Sequence, residues 1–220
     1  MPPRRDPAIV EDMTRVIADI SVSLDGYVAG PDDSPDRHAL GIGGERLHQW
    51  LYGLETWRAQ VGREGGDQGT AAAIMGEFFA RTGAAVIGRR MFDHGEAAWG
   101  DEPPFHVPVY VVTHRPRPSR RMAGGTDFEF VTAGVAAAVG RAVAAASPHD
   151  KDVAVMGGGQ VIAAALAAGV LDELRLHVVP VLLGGGVPLF AEPLDPKIEL
   201  ETTRAELSCG VTHLFHRILK

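Results

Sequence analysis

Three stretches of the sequence place residues that can do chemistry directly after an apolar, β-branched run. In "VAVMGGGQVIAAAL" (153–166) the run ends in Gly157, Gly158 and Gly159, and Gln160 and Val161 open an alanine-rich segment. A helix N-terminus presents unpaired N–H groups and the positive end of a dipole, and glycines let an anion come close to it. A tight strand-to-helix turn uses the same residues. The triplet lacks the spacing of the dinucleotide fingerprint, and no Gly-Lys-Ser/Thr follows as in a phosphate loop. In "AAVIGRRMFD" (84–93) a second run ends at Gly88, and Arg89 and Arg90 fall in the first helical turn. The helix dipole disfavours arginine there, and a bound anion removes the conflict. A solvated surface pair is the alternative. In "YVVTHRPRP" (110–118) a third run ends in Thr113, His114 and Arg115.

If these strands are parallel neighbours, their carboxyl ends form one groove, where α/β sheets bind ligands. Glycines at one point and arginines at another suit a diphosphate plus a phosphate on a ribose, because guanidinium forks match phosphate oxygens. That ligand is NADPH rather than NADH. Other chemistries find no anchor. His213 and His216 are three apart, which on a strand points them to opposite faces, so no metal pair is expected. There is no Gly-x-Ser-x-Gly and no Cys-x-x-Cys. A single cysteine, Cys209, excludes an intrachain disulfide and is expected to be a buried, inert thiol in a reducing cytosol. The net charge of −7 argues against a general nucleic-acid or anionic-membrane binder. No apolar stretch reaches bilayer length and no secretory pattern opens the chain, so a cytoplasmic protein is expected.

The elements that must position these groups follow from periodicity. Residues 1–12 read as a flexible extension, with Met13 as an alternative start, and 13–220 as a single domain. A strand and an Asp-Gly turn come first, then a loop over 31–44 and a short helix in "GERLHQWLYG". Strands and helices alternate through the middle, and 198–219 reads as two antiparallel strands. The pattern predicts an α/β fold with a mixed, mostly parallel central sheet flanked by helices and an antiparallel C-terminal strand pair.

Taken in order, "ISVSLDGYVAG", "VIGRRMFD", "PVYVVTHRPRP", "VMGGGQVIAAAL" and "LDELRLHVVPVLLGGGVPLF" resemble the dihydrofolate reductase superfamily, in the branch related to the reductase domain of bifunctional riboflavin-biosynthesis enzymes. The resemblance implies a dihydrofolate reductase-like fold with NADPH as hydride donor. It implies that Gly88, Arg89 and Arg90 grip the 2′-phosphate side, that Thr113, His114 and Arg115 flank the adenosine, and that Gly157 to Val161 carry the diphosphate. It sets Asp25, Gly26 and Tyr27 at the nicotinamide end, and it implies a homodimer. The acceptor is then a small planar heterocycle of the pterin or ribosylaminopyrimidine kind. Dihydrofolate reductases carry a pterin-binding carboxylate in the helix after the first loop, whereas here only Glu45 stands at its very start, which argues against a folate. Asp25 is the candidate for orienting substrate or relaying a proton, with an ordinary Asp-Gly turn as the alternative. Trp50, Phe92 and Trp99 are candidates for stacking on the heterocycle, with core packing as the alternative. A binding protein that holds NADPH without turnover is the second functional reading.

Overall fold

The computed structural model describes residues 14–34, 37–193 and 197–220. The extension expected at 1–12 and the alternative start at Met13 lie outside the described residues.

The first strand, β1 (Val16–Ser23), leads through a turn to the short β2 (Tyr27–Ala29). A 3₁₀ turn at Gly44–His48 and three helices follow: α1 (Gln49–Tyr52), α2 (Glu55–Gln60) and α3 (Thr70–Arg81). Then come β3 (Thr82–Gly88), α4 (Arg89–Trp99), β4 (Pro108–Val112), β5 (Arg120–Arg121), β6 (Asp127–Val131) and α5 (Val135–Ala146). The chain goes on through β7 (Asp152–Gly157), α6 (Gly159–Ala167), β8 (Glu173–Val179), β9 (Val187–Pro188), β10 (Leu200–Ser208) and β11 (Val211–Ile218).

The main sheet runs β10-β11-β8-β1-β7-β3-β4-β6-β5. From β8 to β6 neighbouring strands are parallel, while β10, β11 and β5 pair antiparallel at the two edges. Strands buried on both faces must be apolar throughout, and the "AAVIG" of β3 and "VAV" of β7 are. On one face α5 and α6 lay Ala138, Ala142, Ile162 and Ala165 against Val86, Val153 and Val155. Small residues let α5 sit close: a Cβ at Gly83 in β3 would stand 3.0 Å from that of Ala146. On the other face α1 and α3 cover β1, β8 and β11, and α4 covers β3 and β4.

The register decides where chemistry gathers. Ile87 pairs with Gly157 and Gly88 with Val112, so β7, β3 and β4 end level with one another. At the far edge the hairpin between β10 and β11 turns on Cys209 and Gly210, at φ of 51° and 72°. Two consecutive left-handed residues make the turn whose twist matches a hairpin. Cys209 is therefore exposed, not the buried thiol expected from its residue type. No helix among the described residues is long and apolar enough to cross a membrane.

Candidate functional site

The level ends of β7, β3 and β4 open into a groove of about 780 Å³. It is lined by every residue expected to bind the cofactor except Gly157, which lies one step behind it. The helices α4 and α6 start at the groove, and neither has a side-chain cap on its first turn. Their leading N–H groups are thus left for an anion. Gly134 and Val135, at the start of α5, line the same groove, which sequence reading missed.

The three glycines meet three separate needs. Gly157 adopts φ +119°, which side chains rarely accept, and the Gly157–Gly158 peptide is cis. A Cβ at Gly158 would meet nothing within 4 Å, because this residue faces open groove. A Cβ at Gly159 would stand 2.8 Å from the Leu189 carbonyl oxygen and 2.9 Å from that of Pro188, so Gly159 is fixed by packing on the β9 segment.

The arginines are held by two aspartates that sequence reading did not assign. Arg89 Nε donates to Asp93 Oδ1 at 2.7 Å, and Arg115 Nη2 to Asp93 Oδ2 at 3.2 Å. Arg90 pairs with Asp33 at 2.8 Å and donates to its carbonyl oxygen. Arg89 is the best fixed, since its guanidinium also lies 6.0 and 5.7 Å from the Phe92 and Phe130 rings. Arg115 is far more exposed, at 71% against 21%. Thr113 is buried, and its hydroxyl accepts the Arg115 N–H at 3.0 Å, shaping the loop that carries His114 at the groove. The i, i+4 spacing of Arg89 and Asp93 was the available signal for the first pair.

A family model described as the RibD C-terminal domain matches residues 14–214. The chain belongs to this family. Its relative YwjB of Bacillus subtilis (strain 168), an uncharacterized protein, is 26% identical over 188 residues, 84% of this chain and 88% of YwjB. A solved structure of a Shewanella sp. PV-4 protein assigned to riboflavin biosynthesis matches with a TM-score of 0.65 at 20% identity, over 94% of this chain and 100% of that one. The Thermotoga maritima diaminohydroxyphosphoribosylaminopyrimidine deaminase/5-amino-6-(5-phosphoribosylamino)uracil reductase matches at 0.59 and 11% identity, over 95% of this chain and 58% of that one. Dihydrofolate reductase from Enterococcus faecalis, solved with NADP(H), matches at 0.51 and 12% identity, over 94% and 97%. The fold is thus of the reductase type, shared with dihydrofolate reductase.

Within this RibD C-terminal domain several expected site residues have other work. Asp25 is exposed, and its carboxylate accepts the Ser23 hydroxyl at 2.6 Å and the N–H groups of Leu183 and Gly184 at 3.2 and 2.8 Å. These bonds, the Ser23 hydroxyl first, hold its carboxyl below the usual carboxylate range. In this structure it clasps two loops, the structural work that the Asp-Gly turn reading allowed. Tyr27 stands half-buried in β2, its N–H donating to Ser23 Oγ. Phe92 is wholly buried against Phe128 and Phe130, with ring centroids 5.0 Å apart in each pair. It cannot touch a ligand, because the apolar face of α4 turns it into the core. Trp99 stacks on Phe128 and meets Phe105 edge-on, in space left by Gly95. Neither Trp99 nor Trp50 lines the groove.

Trp50 belongs to a buried polar cluster beneath α1. Its Nε1 donates to Ser21 Oγ at 3.1 Å and to the Leu47 carbonyl at 3.0 Å, and its ring packs on His177 and His213. The two histidines meet through their Nδ1 atoms at 2.7 Å. His177 Nε2 lies 3.1 Å from Asp19 Oδ1, and His213 Nε2 lies 3.3 Å from the Ser208 carbonyl oxygen. The strand reading of His213 and His216 holds, since one is buried and the other is not. No group of three or more His, Cys, Asp or Glu among the described residues is arranged to hold a metal ion.

Proposed function

We propose that this domain is an NADPH-dependent reductase that delivers a hydride to a small planar heterocycle of the ribosylaminopyrimidine or pterin kind. The observation that carries this reading is the convergence of three level strand ends, their helix starts and three arginines on one groove. The groove fits the cofactor's charge. The α6 start at Gly158–Val161 takes the diphosphate, Arg89 and Arg90 with Arg115 take the 2′-phosphate, and Thr113–Arg115 flank the adenosine. The bound nicotinamide supplies the hydride, and the protein's share is to position it, exclude water and provide a proton. Membership of the RibD C-terminal family supports the reaction type, and the Enterococcus faecalis enzyme's NADP(H) supports the cofactor.

The test is a titration with NADPH read by thermal shift, followed by loss of nicotinamide absorbance with 5-amino-6-(5-phosphoribosylamino)uracil and with dihydrofolate as acceptors. Saturable stabilisation with turnover of either acceptor is expected. Stabilisation without turnover selects the second reading, an NADPH-binding sensor or sequestering protein. That reading is favoured by one observation: α1 (Gln49–Tyr52) carries no carboxylate to hold a pterin. We also propose that the domain works as a cytoplasmic homodimer, since Leu182 and Phe190 stand exposed in the apolar 177–190 segment. Sedimentation as a monomer at micromolar concentration would count against the dimer.

A further inference from the structure

A second pocket, of about 590 Å³, opens between α3 and the closing strands and shares no lining residue with the groove. Arg15, Asp172 and Glu173 line it at the amino ends of β1 and β8, whereas the groove lies at the carboxyl ends of β7, β3 and β4. One row of side chains crosses three strands here. Arg175 of β8 stands opposite Phe215 of β11, which stands opposite Arg204 of β10. Directly opposed residues of antiparallel strands share a face, so the three side chains meet. The guanidinium carbons of Arg175 and Arg204 lie 5.2 and 5.1 Å from the Phe215 ring centroid, and that of Arg175 lies 5.9 Å from Phe78 of α3.

Arg175 is the member of this row that calls for a ligand. Its side chain is only 7% exposed, and a charge so buried is normally bonded on every side. Its Nε donates to Glu173 Oε1 at 2.7 Å, but Glu173 turns its other oxygen to Arg15 Nη1, at 3.4 Å. Asp19, the neighbour across β1, faces His177 instead. Nη1 and Nη2 of Arg175 therefore meet no acceptor among the described residues, and neither is sealed off from the surface. Their side chain lines the pocket.

We propose that this pocket binds a phosphate-type oxyanion carried on a small organic body, with Arg175 as its main ligand and Arg204 as a second arm. A guanidinium offers a planar fork that matches two oxygens of such an anion. The Phe78 and Phe215 rings hold that fork in place before the ligand arrives, which lowers the cost of binding. Ile74, Phe215 and Ile218 give the organic body an apolar wall, and the volume falls in the range of small-molecule sites. The site lies away from the cofactor groove, and the inference stands without the reductase reading.

The remaining charges on the wall do not close the site. Arg204, Arg217 and Lys220 pair with Glu206, Glu201 and Asp172, and each of these pairs is substantially exposed. Such pairs are worth little in water, so Arg204 is free to turn to a better acceptor. Glu77 of α3 is the other carboxylate on the wall, and it stands exposed. An anion that accepts the Arg175 N–H groups satisfies donors otherwise buried without an acceptor, so its binding stabilises the folded chain.

The test is calorimetric titration of the full-length protein with inorganic phosphate and with phenyl phosphate at constant ionic strength. The cofactor groove also attracts phosphate, so the titrations are made in the Arg89→Ala variant, which weakens that groove and leaves the second pocket intact. Saturable binding is expected there, tighter for phenyl phosphate than for inorganic phosphate. Adding Arg175→Ala should weaken it about 10- to 100-fold, the loss of hydrogen bonds to a charged group. Adding Arg204→Ala instead should weaken it about two- to fivefold, since that side chain is exposed. The Arg204→Ala titration carries the test if the Arg175→Ala chain fails to fold. No saturable binding in Arg89→Ala would overturn the site, and so would an affinity untouched by Arg204→Ala. Equal affinity for the two phosphates would overturn the organic body.

Discussion

Arg89 combines the features expected of a phosphate ligand with a physical reason for each. It opens a helix where the dipole opposes it, Asp93 and two aromatic rings hold it in place, and it faces a groove. Replacing it with alanine should weaken NADPH by about 1.5–3 kcal/mol, the worth of a hydrogen bond to a charged group, and leave NADH nearly unchanged. The paired nucleotide titrations check this, and equal losses for both would remove Arg89 from the 2′-phosphate. Arg115→Ala should cost less, because an exposed arginine keeps its partner weakly in solvent. Residue type alone told nothing about which aromatic side chains were free. Phe92 stands three residues after Arg89, and one helical turn separates the groove from the core.

At the scale of elements, the strand-to-helix junctions carry the site and the closing hairpin carries a strain that can be relieved. The hairpin turn forces Cys209 to φ +51°, a conformation that asparagine tolerates better beside glycine. Cys209→Asn should raise stability by about 0.5 kcal/mol or more, read as a higher Tm with unchanged NADPH affinity. A lower Tm would show that the cysteine makes a contact beyond its turn. The junctions themselves were legible because their chemistry is local: Gly88-Arg89, Thr113-His114-Arg115 and Gly157–Val161 each lie within a few residues. Asp93 was not legible as a partner of Arg115, because the pair is 22 residues apart and meets only when β3 and β4 lie side by side.

For the whole molecule, acid should act in two stages. Burial holds His48 and His213 neutral at about 4, whereas the unfolded chain binds their protons at about 6.5. The unfolded state therefore takes up more protons as pH falls, and stability present above about 6.5 is lost on the way down to about 4. Asp152 adds the second stage at the opposite end of the sheet from the groove. Burial raises its carboxyl, but hydrogen bonds from Arg81 and from the Arg15 side chain and N–H outweigh this and hold it below the ordinary value. Its contribution is present above about 4 and is lost as pH falls through the lower folded value. Asp152→Asn should cost about 2 kcal/mol at neutral pH, less than for a fully buried pair because both arginines are partly exposed. It should also erase the lower stage of a Tm-against-pH curve. A single acid transition unaffected by Asp152→Asn would show that the arginine clamp does not stabilise the fold.

The order of apolar runs, glycines and basic residues by itself determined the mostly parallel sheet, the antiparallel C-terminal pair and the groove residues, because periodicity and strand-end chemistry are written over short spans. Burial and pairing across strands are not. Only the tertiary structure decided that Trp50, Phe92 and Trp99 pack away from the groove, that Cys209 is exposed, and that Asp25 clasps loops. The same holds for Asp19, His177 and His213, which lie 36 and 158 residues apart along the chain. They become neighbours only because β1, β8 and β11 stand side by side in one register.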